Sequence, residues 1–207
     1  MALVKYNNNS LSAVTAASSL PTGAMTLIKE QTASSSSTIS FVHGTSDVVL
    51  DSTYPIYVFK LINIHPETND VNFQVNFRDG GSSYDATKTT TYFSGYHSEN
   101  DSSAQVSYET AVDLAQSTGV QNLTKGGLGN GNDECLSGEI WLFNPSSTTY
   151  VKHFMARIIR YQHDDAARDD YISGYCNVTA AIDGVQFSMS SDSIQAGTFK
   201  LYGIKDS

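Results

Sequence analysis

The sequence predicts an all-β protein, a jelly-roll-like antiparallel β-sandwich with an extended N-terminal arm, and three observations carry that reading. Apolar and polar residues alternate with period two through most windows, Tyr, Phe, Val, Ile and Thr outnumber the strong helix formers, and Gly, Asn, Ser and Asp clusters separate the runs. At 207 residues, 40% hydrophobic and 11% aromatic, the chain is long enough to bury one large β domain, since sandwiches of this size form a single unit. The expected organisation is an arm over 1–22 and one domain over 23–207.

The elements follow in order. MALVKYNNNSLSAVTAASSLPT scatters apolar side chains among Asn, Ser and Thr, the composition of an arm lying on another surface or of a frayed terminus. MTLIKEQT (25–32) reads as a strand, ASSSS (33–37) as a turn, and TISFVHG (38–44) as a second strand with Ile39, Phe41 and His43 on one face. These two strands either pair as a hairpin or belong to different sheets. Pro55 and Pro66 bound a dense apolar run over 56–64 that reads as a central strand. In DVNFQVNFRDGG, Val71, Phe73, Val75 and Phe77 alternate with Asn72, Gln74, Asn76 and Arg78, which predicts a strand wet on one side.

The middle of the chain is less periodic. KTTTYFSGYHSE (88–99) is a strand, SYETAVDLAQSTGV (107–120) is the one stretch with helical spacing and is expected to hold one short helix at most, and QNLTKGGLGNGNDE (121–134) is a long Gly/Asn loop. From 137 onward GEIWLFNP, YVKHFMARIIRYQ, DDYISGYCNVT, IDGVQFSMS and GTFKLYGI complete about eight to ten strands. Gly197 is expected to allow a tight turn into the last of these, which is tied into a sheet, with Gly203 giving room for a close neighbour. No fixed-period repeat occurs, which argues against propellers and solenoids.

Charge and cysteine usage exclude several classes. A net charge of −9 and a pI near 4.8, without any Lys/Arg run, disfavour nucleic acid as a partner. No 18-residue apolar run and no basic segment followed by an apolar one is present, so neither a membrane span nor a secretory leader is expected. Cys135 and Cys176, the two cysteines, are read as reduced, partly buried thiols, with a disulfide between them left open. No CxxC or HxxxH pair occurs, so no metal is expected.

Candidate chemistry is thin. His163-Asp164-Asp165 with Arg168-Asp169-Asp170 is the densest ionisable cluster, and paired acids between strands read as a solvated turn rather than as a metal or acid–base site. Asp133-Glu134 lacks the register of a calcium loop, and His65, His97 and His153 read as structural histidines. No nucleophile elbow, zinc-helix or phosphate-loop motif occurs, so the chain is expected to be non-enzymatic, with no cofactor. Asn8, Asn122 and Asn177 begin N-x-[ST] triplets that are background without a leader. Of the 12 tyrosines, Tyr84, Tyr92, Tyr96, Tyr108 and Tyr171 lie in polar contexts suited to a protein interface or to sugar stacking, while some are expected to be buried.

WLFNPSSTTYVKHFMAR (141–157) and YISGYCNVTAAIDGVQFSMSSDSIQAGTFKLYGI (171–204), together with MALVKYNNNSLSAVTA (1–16) and TYPIYVFKLINIHP (53–66), carry a resemblance over nearly the whole chain. The chain resembles uncharacterised virion proteins of marine tailed bacteriophages, which carry a similar FNPSSTT-like turn and LYGI-like ending. The resemblance implies a structural component of a phage particle. The leading expectation is a decoration protein on the outer surface of the head, a homotrimer that touches the major capsid protein through Leu3, Val4, Tyr6 and Leu11 of the arm. The alternative is a tail-fibre or receptor-binding module for host surface glycan, with Tyr84, Tyr96, Tyr108, Asn130 and Asn132 as contacts. A β-sandwich glycan lyase is a remote third reading, since no carboxylate pair has the spacing for it.

Overall fold

The computed structural model describes residues 24–205 and arranges twelve antiparallel strands in two sheets. They are β1 (Met25–Ser36), β2 (Thr38–Val42), β3 (Ile56–Pro66), β4 (Phe73–Arg78), β5 (Lys88–Ser98), β6 (Ala104–Tyr108), β7 (Gln121–Asn122), β8 (Leu136–Phe143), β9 (Lys152–Gln162), β10 (Ala166–Cys176), β11 (Gly184–Met189) and β12 (Ile194–Ile204). The eight-stranded sheet has the order β1-β12-β3-β8-β9-β10-β5-β6, and the four-stranded sheet β2-β11-β4-β7. The result is the expected all-β sandwich. Residues 1–23, which hold the expected arm and its contacts Leu3, Val4, Tyr6 and Leu11, lie outside the described residues.

The first and last described strands pair side by side in the large sheet. β12 pairs with β1 on one side and β3 on the other, so the chain's last strand is interior, as its alternation predicts. Gly203 has the close neighbour expected of it: a Cβ there would stand 2.3 Å from the Tyr54 ring. Gly197 has a different role from the expected turn. It lies inside β12 at φ +131, where the register against β3 shifts and a Cβ would meet Ile64 at 2.6 Å. Only glycine fits such a bulge.

Two further local expectations change, and a third, of one short helix at most, resolves to none. The ASSSS turn is absent because β1 runs through Ser36, and Ser37 alone passes the chain from the large sheet to β2 in the small one. No helix forms in 107–120, because its backbone is spent on β5 instead. Glu109 N–H donates to Tyr92 O, Thr90 N–H to Leu114 O, and Lys88 and Ser117 exchange two bonds. Those backbone groups are then unavailable to a helical ladder. Val71, just before β4, and Phe73, Val75 and Phe77 on it do face the core, but the opposite side is not uniformly wet, since Asn76 is buried.

Asn76 is held there by Lys88, which is fully buried and donates from Nζ to Asn76 Oδ1 at 2.6 Å and Ala86 O at 2.8 Å. Burial pushes the Lys88 ammonium down to about 8 from its ordinary 10.5. A charged lysine with a depressed folded pKa burdens the fold, and the burden lifts as pH rises from 8 to 10.5, where only the unfolded chain keeps the proton. The stability of the wild type relative to Lys88→Met should therefore rise by up to about 3 kcal/mol over that window. Urea titrations at pH 7, 8, 9 and 10 measure it, and a flat difference would mean that Lys88 titrates as in water.

The core between the sheets is aromatic on one half and polar on the other. Phe41, Phe73 and Phe187 of the small sheet meet Phe59 and Phe199 of the large one. Beyond the small sheet, the 109–134 segment covers the inner face of β5, β9 and β10 with hydrogen bonds. Thr90 Oγ1 donates to Gln121 Oε1 at 2.7 Å, and Arg160 reaches the carbonyl oxygens of Lys125, Gly126 and Gly127. Cys135 and Cys176 are both free thiols, and burial pushes Cys176 up to about 12.

Candidate interaction surface

The outer face of the eight-stranded sheet is built from the alternate residues that do not enter the core. Ten large apolar side chains are exposed among the described residues, and eight of them, Met25, Leu27, Ile62, Phe93, Val106, Tyr108, Met155 and Ile159, lie on this face. Scattered exposed apolar residues are ordinary, but a contiguous set on one sheet face marks an interaction surface.

Cross-strand registers order this face into rows. One row spans all eight strands: Glu30, Lys200, Lys60, Glu139, Arg157, Tyr171, Phe93 and Tyr108 stand directly opposite one another in turn. Its first five members are charged and its last three aromatic. The neighbouring row is mostly apolar, running Leu27, Tyr202, Val58, Trp141, Met155, Ser173 and Thr91. Val58 points outward yet is fully buried, with Tyr202 and Trp141 standing directly opposite it on either side.

Side chains along the charged row are fixed by one another. Lys200 Nζ lies 3.0 Å from Glu30 Oε2, and Lys60 pairs with Glu139. Arg157 grips Asp169 through both Nε at 3.0 Å and Nη2 at 2.7 Å, and its guanidinium lies 5.2 Å from the Tyr171 ring centroid. That ring stacks on Phe93 at 5.0 Å with 5° between planes. The Arg157 guanidinium, with the Tyr171 hydroxyl, holds the Asp169 carboxyl below its usual range. Burial alone would raise Glu139, but the Lys60 ammonium and the Trp141 indole N–H outweigh it and hold that carboxyl low as well. Shallow grooves of about 440 Å³ beside Ile62 and Tyr202 and about 350 Å³ beside Phe93 and Trp141 leave relief for a partner's side chains.

The residues expected as glycan or partner contacts are dispersed. Tyr108 is on the outer face, at the β6 edge. Tyr96 is on the inner side, 4.9 Å from the Arg168 guanidinium, with its hydroxyl on Ser103 Oγ at 2.7 Å. Tyr84 is half-buried by the β4–β11 edge, where Asn76 Nδ2 donates to its carbonyl. Asn130 donates to Glu67 O at 3.0 Å, and Asn132 is exposed in the same loop. As expected, some tyrosines are buried, Tyr57 and Tyr92 completely.

The acidic cluster read as a solvated turn divides in two. Asp164 and Asp165 are exposed in the β9–β10 turn, but Arg168, Asp169 and Asp170 are inside β10 and alternate across the sheet. Asp169 therefore points out to Arg157, while Asp170 points in and is fully buried against Arg160 at 2.9 Å. Among the described residues no group of three or more His, Cys, Asp or Glu side chains is placed to hold a metal ion. No described helix is long and apolar enough to cross a membrane.

Sequence reasoning missed Trp141, Phe93, Met155, Arg157 and Ile159 as surface residues. A signal existed in the dense run over 56–64 and in KHFMARIIRYQ, where apolar residues occupy both phases of the alternation. An antiparallel strand written that way carries apolar side chains on its outer face as well as on its inner one.

Fold and surface together define an antiparallel β-sandwich whose larger sheet, among the described residues, exposes a partly apolar outer face. No family model matches the chain, and no curated protein or solved structure shows significant similarity to it.

Proposed function

We propose that the chain is a non-enzymatic structural component of a bacteriophage particle, a decoration protein on the outer surface of the head that works by burying protein surface. The observation that carries the reading is the concentration of exposed apolar side chains on the outer face of the large sheet. A particle component can use such a face, because an interface of roughly 1,600 Å² is the standard size for a stable contact and, repeated by symmetry, clamps neighbours together. The sequence resemblance to phage virion proteins supplies the setting. In this reading Leu3, Val4, Tyr6 and Leu11 of the arm touch the major capsid protein, and the sheet face meets a neighbour.

Separating heads from tails on a density gradient and quantifying the chain in each fraction tests the location. Copies in the hundreds with the heads are expected. Deleting residues 1–20 should abolish head binding while the remaining domain keeps its β-sheet circular dichroism, and undiminished binding would remove the arm from the reading.

One observation favours the second reading, a tail-associated module for host glycan. Tyr171, Phe93 and Tyr108 form a continuous aromatic row beside Trp141, and flat aromatic faces stack on sugar rings. A few copies with the tails, and binding to purified host polysaccharide lost in Phe93→Ala, would favour it over decoration.

A further inference from the structure

The row that crosses all eight strands is complementary to its own reverse. From β1 to β6 it reads Glu30, Lys200, Lys60, Glu139, Arg157, Tyr171, Phe93, Tyr108. A second copy laid face to face about a two-fold axis parallel to the strands, between β8 and β9, presents the same row backwards. Glu139 then meets Arg157 of the other copy, and Arg157 meets its Glu139. Lys60 meets Tyr171 and Lys200 meets Phe93, each an ammonium over an aromatic ring, and at the rim Glu30 meets the ring of Tyr108, whose hydroxyl donates to Asp113 Oδ2 at 2.7 Å. Within the row no like charges face each other. One row along, Trp141 meets Met155 in both directions, an indole against a thioether.

We propose that this face is a two-fold homodimer interface, centred on reciprocal Glu139–Arg157 and Trp141–Met155 contacts. It rests on the reading of the outer face as a docking surface and names the neighbour as a second copy of this chain. Four features single out that occupant. First, the sheet interior offers no free backbone groups, since every strand from β12 to β5 is paired on both sides, so an extended peptide cannot add to it as a strand. Second, charge is balanced on the face. Lys60, Lys200 and Arg157 stand against Glu30, Glu139 and Asp169 on a chain whose net charge is −9, so two acidic molecules can approach here without local repulsion.

Third, the area suits a dimer. Eight strands spaced at about 4.8 Å, covered by three rows about 6.8 Å apart, the third running through Ser137, Ile159, Asp169 and Val106, make a face on the order of 800 Å², the share one partner contributes to a standard interface. Fourth, a self-complementary patch closes on itself after one contact, whereas a three-fold ring joins two different patches. The unit proposed at this face is therefore two-fold, where the decoration reading expects a homotrimer. Face-to-face sheets pack at about −30°, so the match is best at the centre, between β8 and β9, and loosens toward β1 and β6.

The central charge pair gives a test that a chance apolar contact would not pass. Sedimentation velocity of the full chain should give a species of about 45 kDa, twice the 22.4 kDa of one chain. Glu139→Arg and Arg157→Glu each place like charges across the axis twice over, and each variant alone should dissociate at least about tenfold more readily. In a 1:1 mixture of the two variants each chain brings the charge the other has lost, both central pairs are again opposite in sign, and a heterodimer should reappear. Both side chains are partly exposed, 53% for Arg157 and 32% for Glu139, so the fold should tolerate either change, and circular dichroism checks it. Met155→Asp, which breaks the centre without touching the charge row, should also run as a monomer.

A wild type that stays monomeric across the micromolar range, a trimer, single variants that remain dimeric, or a mixture that fails to pair would each overturn the two-fold interface. The gradient experiment is independent of these outcomes. A dimer that never joins heads would sink the decoration reading alone, and a head-bound monomer would sink the dimer alone.

Discussion

Asp170→Ala is expected to lower the stability of the fold by about 3–5 kcal/mol. Asp170 and Arg160 are both fully buried and joined at 2.9 Å, so removing the carboxylate leaves a guanidinium in the core without a counter-charge. Burial pushes the Asp170 carboxyl above its usual range, against the pull of Arg160 and Tyr92. A carboxyl whose folded pKa is raised contributes less stability as pH rises through its folded value. The pair therefore owes its place to what Arg160 holds, namely the carbonyls of Lys125, Gly126 and Gly127, which clamp the 125–127 chain over the inner face of β9 and β10. Urea denaturation measures the loss, and limited proteolysis should find new cleavage near 126–134. A loss under about 1 kcal/mol would mean that water reaches the stranded guanidinium. Replacing both partners with apolar residues should recover part of the loss, because no uncompensated charge then remains, although three loop carbonyls lose their donor.

That pair shows what the sequence made legible and what it hid. Period two placed β4, β9 and β12 well, and in KHFMARIIRYQ the phase of Phe154, Ala156 and Ile158 already sends Arg160 inward with them. Local composition argued the other way for Asp170, since acidic clusters usually sit in solvated turns, and the alternation of β10 overrides composition. β6 and the two-residue β7 were lost in the middle of the chain. β6 is an exposed edge strand that faces no core and so carries no period to read. The outer row was beyond the sequence for another reason. Lys200, Lys60, Glu139, Arg157, Tyr171 and Phe93 come from six strands, and only the registers between β12, β3, β8, β9, β10 and β5 bring them into line. Long-range pairing of this kind has no local signature, and neither does the pairing of the first described strand with the last.

Phe187→Ala is expected to cost about 3–5 kcal/mol, a large part of the roughly 5–15 kcal/mol that a domain has to lose. Phe187 is where the two sheets meet. It stacks on Phe73 at 5.7 Å with 4° between planes, meets Phe41 edge-on at 6.4 Å within the small sheet, and reaches Phe59 at 5.7 Å and Phe199 at 5.3 Å on the large one. Each of those rings is anchored on or beside a paired strand, so the void left by truncation cannot collapse, and ring-to-ring contacts worth about 0.5–1.5 kcal/mol apiece are lost with the buried area. Phe187→Leu keeps much of the volume and should cost about 1–2 kcal/mol. The comparison that gives these numbers meaning is Phe93→Ala, the same chemical change on the opposite face of the large sheet. Phe93 is 43% exposed with one stacked neighbour, so the single chain should lose about 1 kcal/mol or less, while self-association weakens. Urea midpoints for all three variants, read at a protein concentration low enough to keep the chains apart, separate the two roles. Equal losses at Phe187 and Phe93 would mean that the outer face is part of the fold's own support and not a docking surface.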